Sequence, residues 1–277
     1  MKCKALRSFL NYLVKESGSV KKLIPALALG AALFSALPAA AQTGPDHDMR
    51  FELTYSPLRI STSKPSGVVH SNLTAITFSG EGRIFQGIMF GGSFTRGGGS
   101  KLDIVGVNEY DDPITMDCSS PEFNDLKVYA KIPFNFASLS ESSRTMDKAP
   151  AMSPLYGYVG YKNTCLTSKW PDGSGYTGKA NIENSSGFGF GLGAEFNWDP
   201  VGLYGQAVYY PCMITKNVGL DGNPDGKLNV WEWDLGLRTN FKDSPIQAKI
   251  GYHFEQHSAS NLKLKYDGIQ IGATAEF

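Results

Sequence analysis

The sequence predicts an all-β protein: a closed antiparallel transmembrane β-barrel of about ten strands that follows an N-terminal signal peptide. Three observations predict this fold class. Apolar and polar residues alternate over many segments of about ten residues. After the leader, the chain lacks a run of 18 apolar residues that could form a spanning helix. It is also rich in glycine, with 31, and in aromatic residues, at 12%, so a membrane role would have to use strands.

The first 41 residues have the charge and apolar order of a secretory signal peptide. Six basic residues and one acidic residue accompany an apolar run from Leu23 to Leu37, and three alanines then offer a cleavage site before Gln42. We therefore expect residues 1–41 to be removed and residues 42–277 to form the barrel. The mature chain would hold 20 basic and 25 acidic residues, a balance that argues against a nucleic-acid partner.

The clearest alternation lies at the C-terminus, where apolar side chains occupy every second position. One face carries Ile269, Ile271, Ala273, Ala275 and Phe277, and the other carries Gln270, Gly272, Thr274 and Glu276. Ten segments are predicted strands: 49–55, 70–79, 83–94, 126–136, 155–162, 188–198, 203–210, 231–241, 246–255 and 269–277. Lipid outside and a polar lumen inside would produce this pattern.

The predicted connections differ in length. Short turns are expected at 79–82, 199–200 and 242–245, long loops at 96–122, 163–185 and 211–226, and an intermediate connection at 137–152. Short connections at one end and long ones at the other are typical of membrane barrels.

A soluble β-sandwich or lipocalin-like barrel is the alternative, because its strands also alternate. The apolar faces here carry many aromatic residues near the strand ends, as aromatic girdles do, and the opposite faces mix acids, bases and glycine. This polarity favours the membrane barrel.

The last strand, with Phe277 at its end and apolar residues at alternate positions, resembles the assembly signature of bacterial outer-membrane β-barrel proteins. The resemblance is to small OmpA-like or porin-like barrels of the Gram-negative cell envelope, and no narrower family is identified. It implies an outer-membrane location, contact with outer-membrane lipid and recognition by the barrel-assembly machinery through Phe277. It implies no particular external partner.

A ten-stranded barrel encloses a lumen narrow enough for side chains to fill, whereas aqueous channels belong to wider barrels. The charged residues predicted to face inward are Arg50, Glu52, Lys127, Lys131, Glu195, Glu232, Asp234, Arg238, Lys249, His253, Glu255 and Glu276. Their balanced signs predict an ionic network that largely plugs the lumen. We expect a structural or surface-interaction protein that acts through its outer loops and is not an enzyme, and the alternative is a narrow porin-like channel for small solutes or ions.

Residues 221–232, DGNPDGKLNVWE, fit the spacing of a calcium loop. Asp221, Asn223, Asp225 and Glu232 would supply oxygen ligands. The flanking segments look like strands rather than the helices of an EF-hand, and Asn-Pro-Asp-Gly is strong turn chemistry. Calcium binding and a plain hairpin turn both remain open, and no other cofactor is expected.

Three cysteines follow the leader: Cys118, Cys165 and Cys212. Exported proteins can form disulfides, and Cys118 and Cys165 both fall in segments predicted at the outer end of the barrel. They could therefore pair, although free thiols or another pairing fit the sequence equally well.

A surface hydrolase is a second alternative, because ten strands is also the architecture of the omptin-type proteases. These resemble one another by an Asp pair and an Asp-His pair at the outer rim. Here Asp111 and Asp112 lie in a predicted outer loop, and His257 follows Glu255 at the spacing of the acid-His pair.

Overall fold

A computed structural model describes residues 49–64, 67–85, 88–107, 113–134, 155–169, 179–197, 200–216, 225–239, 245–258 and 263–276. These residues form eleven strands. They are β1 (Met49–Lys64), β2 (Gly67–Phe85), β3 (Ile88–Gly98), β4 (Lys101–Val107), β5 (Pro113–Pro133), β6 (Leu155–Lys169), β7 (Lys179–Asn197), β8 (Val201–Lys216), β9 (Asp225–Thr239), β10 (Ile246–Ser258) and β11 (Lys263–Glu276). Across this part of the chain, no helix is long and apolar enough to cross a membrane.

The strands form one closed antiparallel sheet. Apart from β3 and β4, neighbours along the chain pair in sequence, β1 pairs with β11, and β3 pairs with β5 to close the circle. β4 pairs with β5 beyond the end of β3, so β3 and β4 act as one long strand interrupted at Gly99 and Ser100. The predicted ten-stranded closed barrel is therefore confirmed.

The interruption is a local bulge on which the chain closes tightly. Ser120, opposite the break, has a φ of 51°, and the Gly99 amide donates to the Pro121 carbonyl at 3.2 Å. A Cβ on Gly99 would lie 2.7 Å from the Asn72 carbonyl oxygen, so this crossing requires glycine. Bulges of this kind increase local twist, which brings β4 against β2.

An exposed apolar belt surrounds the barrel. Its side chains include Phe90 and Phe94 on β3, Leu126, Val128 and Ile132 on β5, Val159 on β6, Phe188, Phe190 and Leu192 on β7, Trp231, Trp233, Leu235 and Leu237 on β9, Ile250 and Tyr252 on β10, and Ile269 and Ile271 on β11. Phe188 is 72% exposed. A continuous band of this kind is unfavourable in water and is the lipid-facing surface of a transmembrane barrel.

The strands continue past the belt at one end, and their polarity then reverses. On β9, Trp231 faces lipid and Glu232 the lumen, but two residues earlier Asn229 faces outward while Leu228 and Val230 are buried inside. The inward-facing positions of the strand are therefore polar at the level of the belt and apolar beyond it. We call the extended end the outer end, and the end that holds Met49 and Glu276 the inner end.

Apolar side chains fill the interior of the outer end. The main cluster, which we call the outer plug, comprises Leu58, Ile60, Leu73, Ala75, Leu102, Cys118, Phe123, Leu166, Ile182, Leu264 and Tyr266. A second cluster, on β6, β8 and β9, comprises Tyr158, Val208, Tyr210, Met213, Leu228 and Val230. Fully buried aliphatic and aromatic groups of this kind are a packed hydrophobic core.

Two predictions about connections are wrong. The turn expected at 79–82 lies inside β2, which continues to Phe85 and pairs there with Ile88. The glycines of this segment support strand packing, since a Cβ on Gly80 would lie only 3.2 Å from the Phe51 ring. Most of the expected loops 96–122, 163–185 and 211–226 are paired strands of the outer end. The connection 137–152 lies outside the described residues.

Candidate functional site: the charged lumen

The inner part of the lumen holds an ionic network centred on Arg50. Its guanidinium lies 2.9 Å from Glu81, 2.9 Å from Glu195 and 2.8 Å from Glu276. The ammonium group of Lys131 bridges two of these acids, at 2.7 Å from Glu81 and 3.5 Å from Glu195. Three acids therefore share two cations, and alternation along β1, β2, β5, β7 and β11 places all five side chains inward.

Arg238, on β9, completes this inner network. Its guanidinium lies 3.1 Å from Glu195 and 3.6 Å from Glu276, and the residue is buried. The network thus contains three acids and three bases and has no net charge. Attraction between these groups offsets the free-energy cost of removing them from water.

Glu232 is the centre of a second network, deeper in the barrel. Its carboxylate contacts the Lys127 ammonium, and Lys162 lies 2.9 Å from it. Lys162 also lies 2.6 Å from Glu255 and 3.5 Å from Asp125. The ammonium of Lys162 is wholly shielded from solvent, so these carboxylates provide its counter-charge.

Two further pairs lie beside this network, and His253 links one of them to Glu255 at 3.5 Å. Lys249 lies 2.5 Å from Glu52, and its ammonium stands 4.4 Å from the centre of the Tyr204 ring. His253 Nδ1 lies 2.8 Å from Asp234. The charged side chains predicted to face inward from the sequence thus all lie in the lumen, divided among the Arg50 network, the Glu232 network and the separate pair of Lys249 with Glu52.

A histidine between two acids lies where the network meets the outer plug. Each ring nitrogen of His257 contacts a carboxylate, Nδ1 that of Glu183 and Nε2 that of Glu255. Tyr266 donates a hydrogen bond to Glu183 at 3.0 Å. His257 pairs with Val230 and Leu264, beyond the outer edge of the belt.

The protonation of His257 follows from these neighbours. Burial alone would lower the pKa of His257, but the carboxylates of Glu183 and Glu255 outweigh burial and raise the pKa to about 9. The imidazolium therefore persists at neutral pH and holds the two acids together.

Five members of these networks are not among the residues predicted to face inward from the sequence: Glu81, Asp125, Lys162, Glu183 and His257. Glu81 falls in a predicted turn, and Glu183 falls in a predicted loop. One sequence signal could have identified Lys162 as inward. Leu166 and Ser168, beyond the belt, lie at alternate positions in register with Lys162 on β6 and are buried inside. The change from polar to apolar inward residues hides that phase.

The networks leave a cavity of about 160 Å³ inside the barrel. Small side chains of β1, β2 and β3, including Ser56, Thr77 and Thr95, line part of it, and the charged groups line the rest. The cavity also reaches Leu58 and Phe123 of the outer plug. It has room for several water molecules beside hydroxyl and charged groups.

The predicted calcium loop is not assembled as a unit. Asp225 begins β9, and Glu232 lies seven residues further along the same extended strand, about 23 Å away at the usual rise per residue. Glu232 is engaged by two lysines inside the barrel, so it cannot complete a site with Asp225. Asp221 and Asn223 lie outside the described residues.

Glu232, Asp234 and His253 have ligand atoms that lie within 4.8 Å of one another. These three groups could present oxygen and nitrogen to a cation. The lysine ammonium groups at Glu232 already supply positive charge there, which disfavours a metal ion.

The pairing of Cys118 with Cys165, one of the alternatives left open by the sequence, does not form. Cys118 faces the outer plug, whereas alternation on β6 turns Cys165 outward, and the two sulfurs are not joined. Burial, with Glu183 nearby, raises the pKa of the Cys165 thiol.

The hydrolase alternative finds little support in the geometry. His257 and Glu255 are buried, and both ring nitrogens of His257 contact carboxylates, so the ring cannot activate water at the rim in this arrangement. Asp111 and Asp112 lie outside the described residues, as does Phe277.

Comparison with known proteins finds no matching family model and no matching curated protein. Solved structures similar to the chain are outer-membrane barrels. Outer membrane protease OmpT from Escherichia coli is 9% identical, with 85% of this chain and 99% of that chain covered and a TM-score of 0.49. Neisserial surface protein A is 13% identical (82% and 97% covered, TM-score 0.34). The toluene transporter TodX of Pseudomonas putida is 11% identical (86% and 91% covered, TM-score 0.32).

Proposed function

We propose that this bacterial outer-membrane β-barrel protein is a closed barrel, which does not conduct and acts through the polar surface beyond the outer edge of its apolar belt. The single observation that supports this proposal most is the outer plug. Ile60, Leu166 and Tyr266 are at most 1% exposed inside the outer end. Ions cross only through continuous water, and a packed apolar cluster excludes it.

The ionic networks below the plug add to the obstruction. Lys162 and Glu232 lie side by side across the lumen, and each is held by further partners of opposite sign. Moving one of these groups aside would leave a buried charge without its partner, which costs about 3–5 kcal/mol. The networks therefore favour a rigid filling over a mobile gate.

The test is conductance of the full chain, expressed in outer membranes and purified in its folded state. Folding is checked by the change in gel mobility on boiling, and the protein is then inserted into planar bilayers. We expect no openings. The matched variant L58S/F123S removes two plug side chains that also line the cavity, and we expect it to conduct. Openings of the unmodified protein equal to those of the variant would overturn the proposal.

Action through the outer surface requires a separate test. Replacing residues 170–178, between β6 and β7, with a Gly-Ser linker should leave the gel mobility change and the silence in bilayers intact. The same replacement should reproduce the envelope phenotype of cells that lack the protein. If cells carrying each outer replacement of this kind behaved like cells with the unmodified protein, action through this surface would be refuted.

A narrow channel is the second candidate, favoured by the charged cavity of about 160 Å³. On this hypothesis the unmodified protein opens, and K131Q or R238Q changes the ratio of cation to anion permeability. Unchanged selectivity in both variants would assign any openings to a path outside the cavity.

A further inference from the structure

Five cations face outward beyond the belt on one side of the barrel. They are Arg59 on β1, Arg96 on β3, Lys227 on β9, and Lys263 and Lys265 on β11. Lys265 is half-buried and the other four are exposed or partly exposed. Their strands fall within six consecutive neighbours of the sheet, from β9 through β11 and β1 to β3. We call this group the basic face.

Three of these cations stand at one level above the belt. Each lies four residues beyond an outward apolar or aromatic side chain of the belt edge on its own strand, which is about 13 Å of extended chain. The pairs are Arg59 and Tyr55 on β1, Lys227 and Trp231 on β9, and Lys265 and Ile269 on β11. With the tilt of barrel strands, this places the charges about 10 Å above the apolar edge, the height of lipid headgroups.

The basic face has few acidic neighbours. Among the described residues, none of its five cations forms an ion pair within 4.0 Å of a carboxylate. One outward acid, Asp267, lies in this sector, directly opposite Arg59 on the neighbouring strand. Asp267 accepts a hydrogen bond from Tyr252 at 2.8 Å.

The opposite sector differs in this respect. On β4 to β7, Lys101 lies 3.0 Å from Asp103, and Lys179 lies 2.8 Å from Glu122. Both of these lysines are therefore neutralised within the protein. The basic face therefore has fewer ion pairs within the protein than the opposite sector, and the two sectors can be compared directly.

We infer that the basic face binds the phosphate groups of lipid headgroups in the outer leaflet. The cations stand at headgroup height directly above a surface that already contacts acyl chains, so a phosphorylated lipid can satisfy both at once. Aromatic side chains at the edge, such as Trp231 and Tyr252, suit the same boundary. The mature chain is acidic as a whole, so the positive field is local to this face. This inference concerns the outside of the barrel and holds whether or not the lumen conducts.

The test measures binding of lipid A carrying two phosphates to the full chain in mixed micelles, with lipid retention counted by native mass spectrometry. The variant R59Q/K227Q/K265Q removes the three charges at one level. The control K101Q/K169Q/K179Q removes the same number of charges from the opposite sector. All six side chains lie on the outer surface, and the gel mobility change verifies that both variants fold.

We expect the apparent affinity for lipid A to fall on the order of a hundredfold in the first variant, at about fivefold per cation, and to change less than about threefold in the control. Dephosphorylated lipid A should bind the unmodified protein as weakly as phosphorylated lipid A binds the first variant. Equal binding of the two lipids, or an equal loss in the control, would overturn the inference. Tight binding of soluble heparin through the same three cations, without dependence on lipid phosphate, would instead assign the face to a sulfated polysaccharide.

Discussion

The Lys162 ammonium lies 2.6 Å from the Glu255 carboxylate, and both side chains are shielded from solvent inside the barrel. Replacing Lys162 with Met leaves Glu255, Glu232 and Asp125 without their shared cation. A broken buried pair costs about 3–5 kcal/mol, because a buried charge loses its partner. We expect K162M to lower the free energy of unfolding in urea by about this amount.

The control for this prediction is K179M. Lys179 forms an ion pair of similar length with Glu122, but both side chains are largely exposed, so the loss should stay below about 1 kcal/mol. Equal destabilisation by the two substitutions would show that burial does not set the strength of these pairs.

The pKa of His257 predicts a pH dependence of stability. The pKa of about 9 in the folded barrel exceeds the ordinary value near 6.5 of an unfolded chain. The stabilisation from the imidazolium is therefore fully present below about pH 6.5 and is lost as the pH rises through about 9. In urea titrations, the unmodified protein should exceed H257Q in stability at pH 6 by more than at pH 10.

Neighbouring groups titrate as well, so the comparison uses the difference between the two proteins at each pH. Groups that do not contact His257 contribute equally to both proteins, so their contributions cancel. A difference that is constant from pH 6 to 10 would show that folding does not raise the pKa of His257.

The membrane part of this fold could be predicted from sequence, because lipid outside and a polar lumen inside impose a period of two on each strand. Trp231, Trp233 and Leu235 against Glu232 and Asp234 carry that signal within β9 alone. Pairing of β1 with β11 then follows from closure, which satisfies the edge hydrogen bonds.

The outer end could not be predicted by the same argument. Water replaces lipid there, so the inward phase of β1 changes from Glu52 and Ser56 to Leu58 and Ile60 without a break in pairing with β2. A search for polar inward residues therefore ends each strand too early. Gly80, beside Glu81, is misleading for a different reason: its packing role in β2 depends on Phe51, a neighbour distant in sequence.

Gly191 predicts a steric requirement within β7. A Cβ at this position would lie 2.1 Å from the Ala207 carbonyl oxygen and 2.8 Å from the Val208 Cα, both backbone atoms of β8. G191A should therefore lower the free energy of unfolding by about 1–3 kcal/mol through forced separation of the strands. G82A is the matched substitution, since its Cβ meets only the Met49 side chain at 4.0 Å. A smaller loss in G191A than in G82A would contradict this packing.

Thiol accessibility tests the orientation of the outer end. Cys212 is exposed and lies on β8 beyond the belt, at a bulge where its φ is 55°. Cys118 is buried in the outer plug. A membrane-impermeant maleimide added to intact cells should therefore label Cys212 and leave Cys118 unmodified until the protein is unfolded.

Cys165 should react more slowly than Cys212, because burial raises its thiol pKa and lowers the thiolate fraction. Single-cysteine variants, with the other two positions changed to Ser, separate the three rates in one experiment. Labelling of Cys212 only after the outer membrane is permeabilised would reverse the orientation, and would place the outer plug and the basic face on the periplasmic side. Rapid labelling of Cys118 in the folded protein would instead show that water enters the plug, and the barrel could then not be closed at that level.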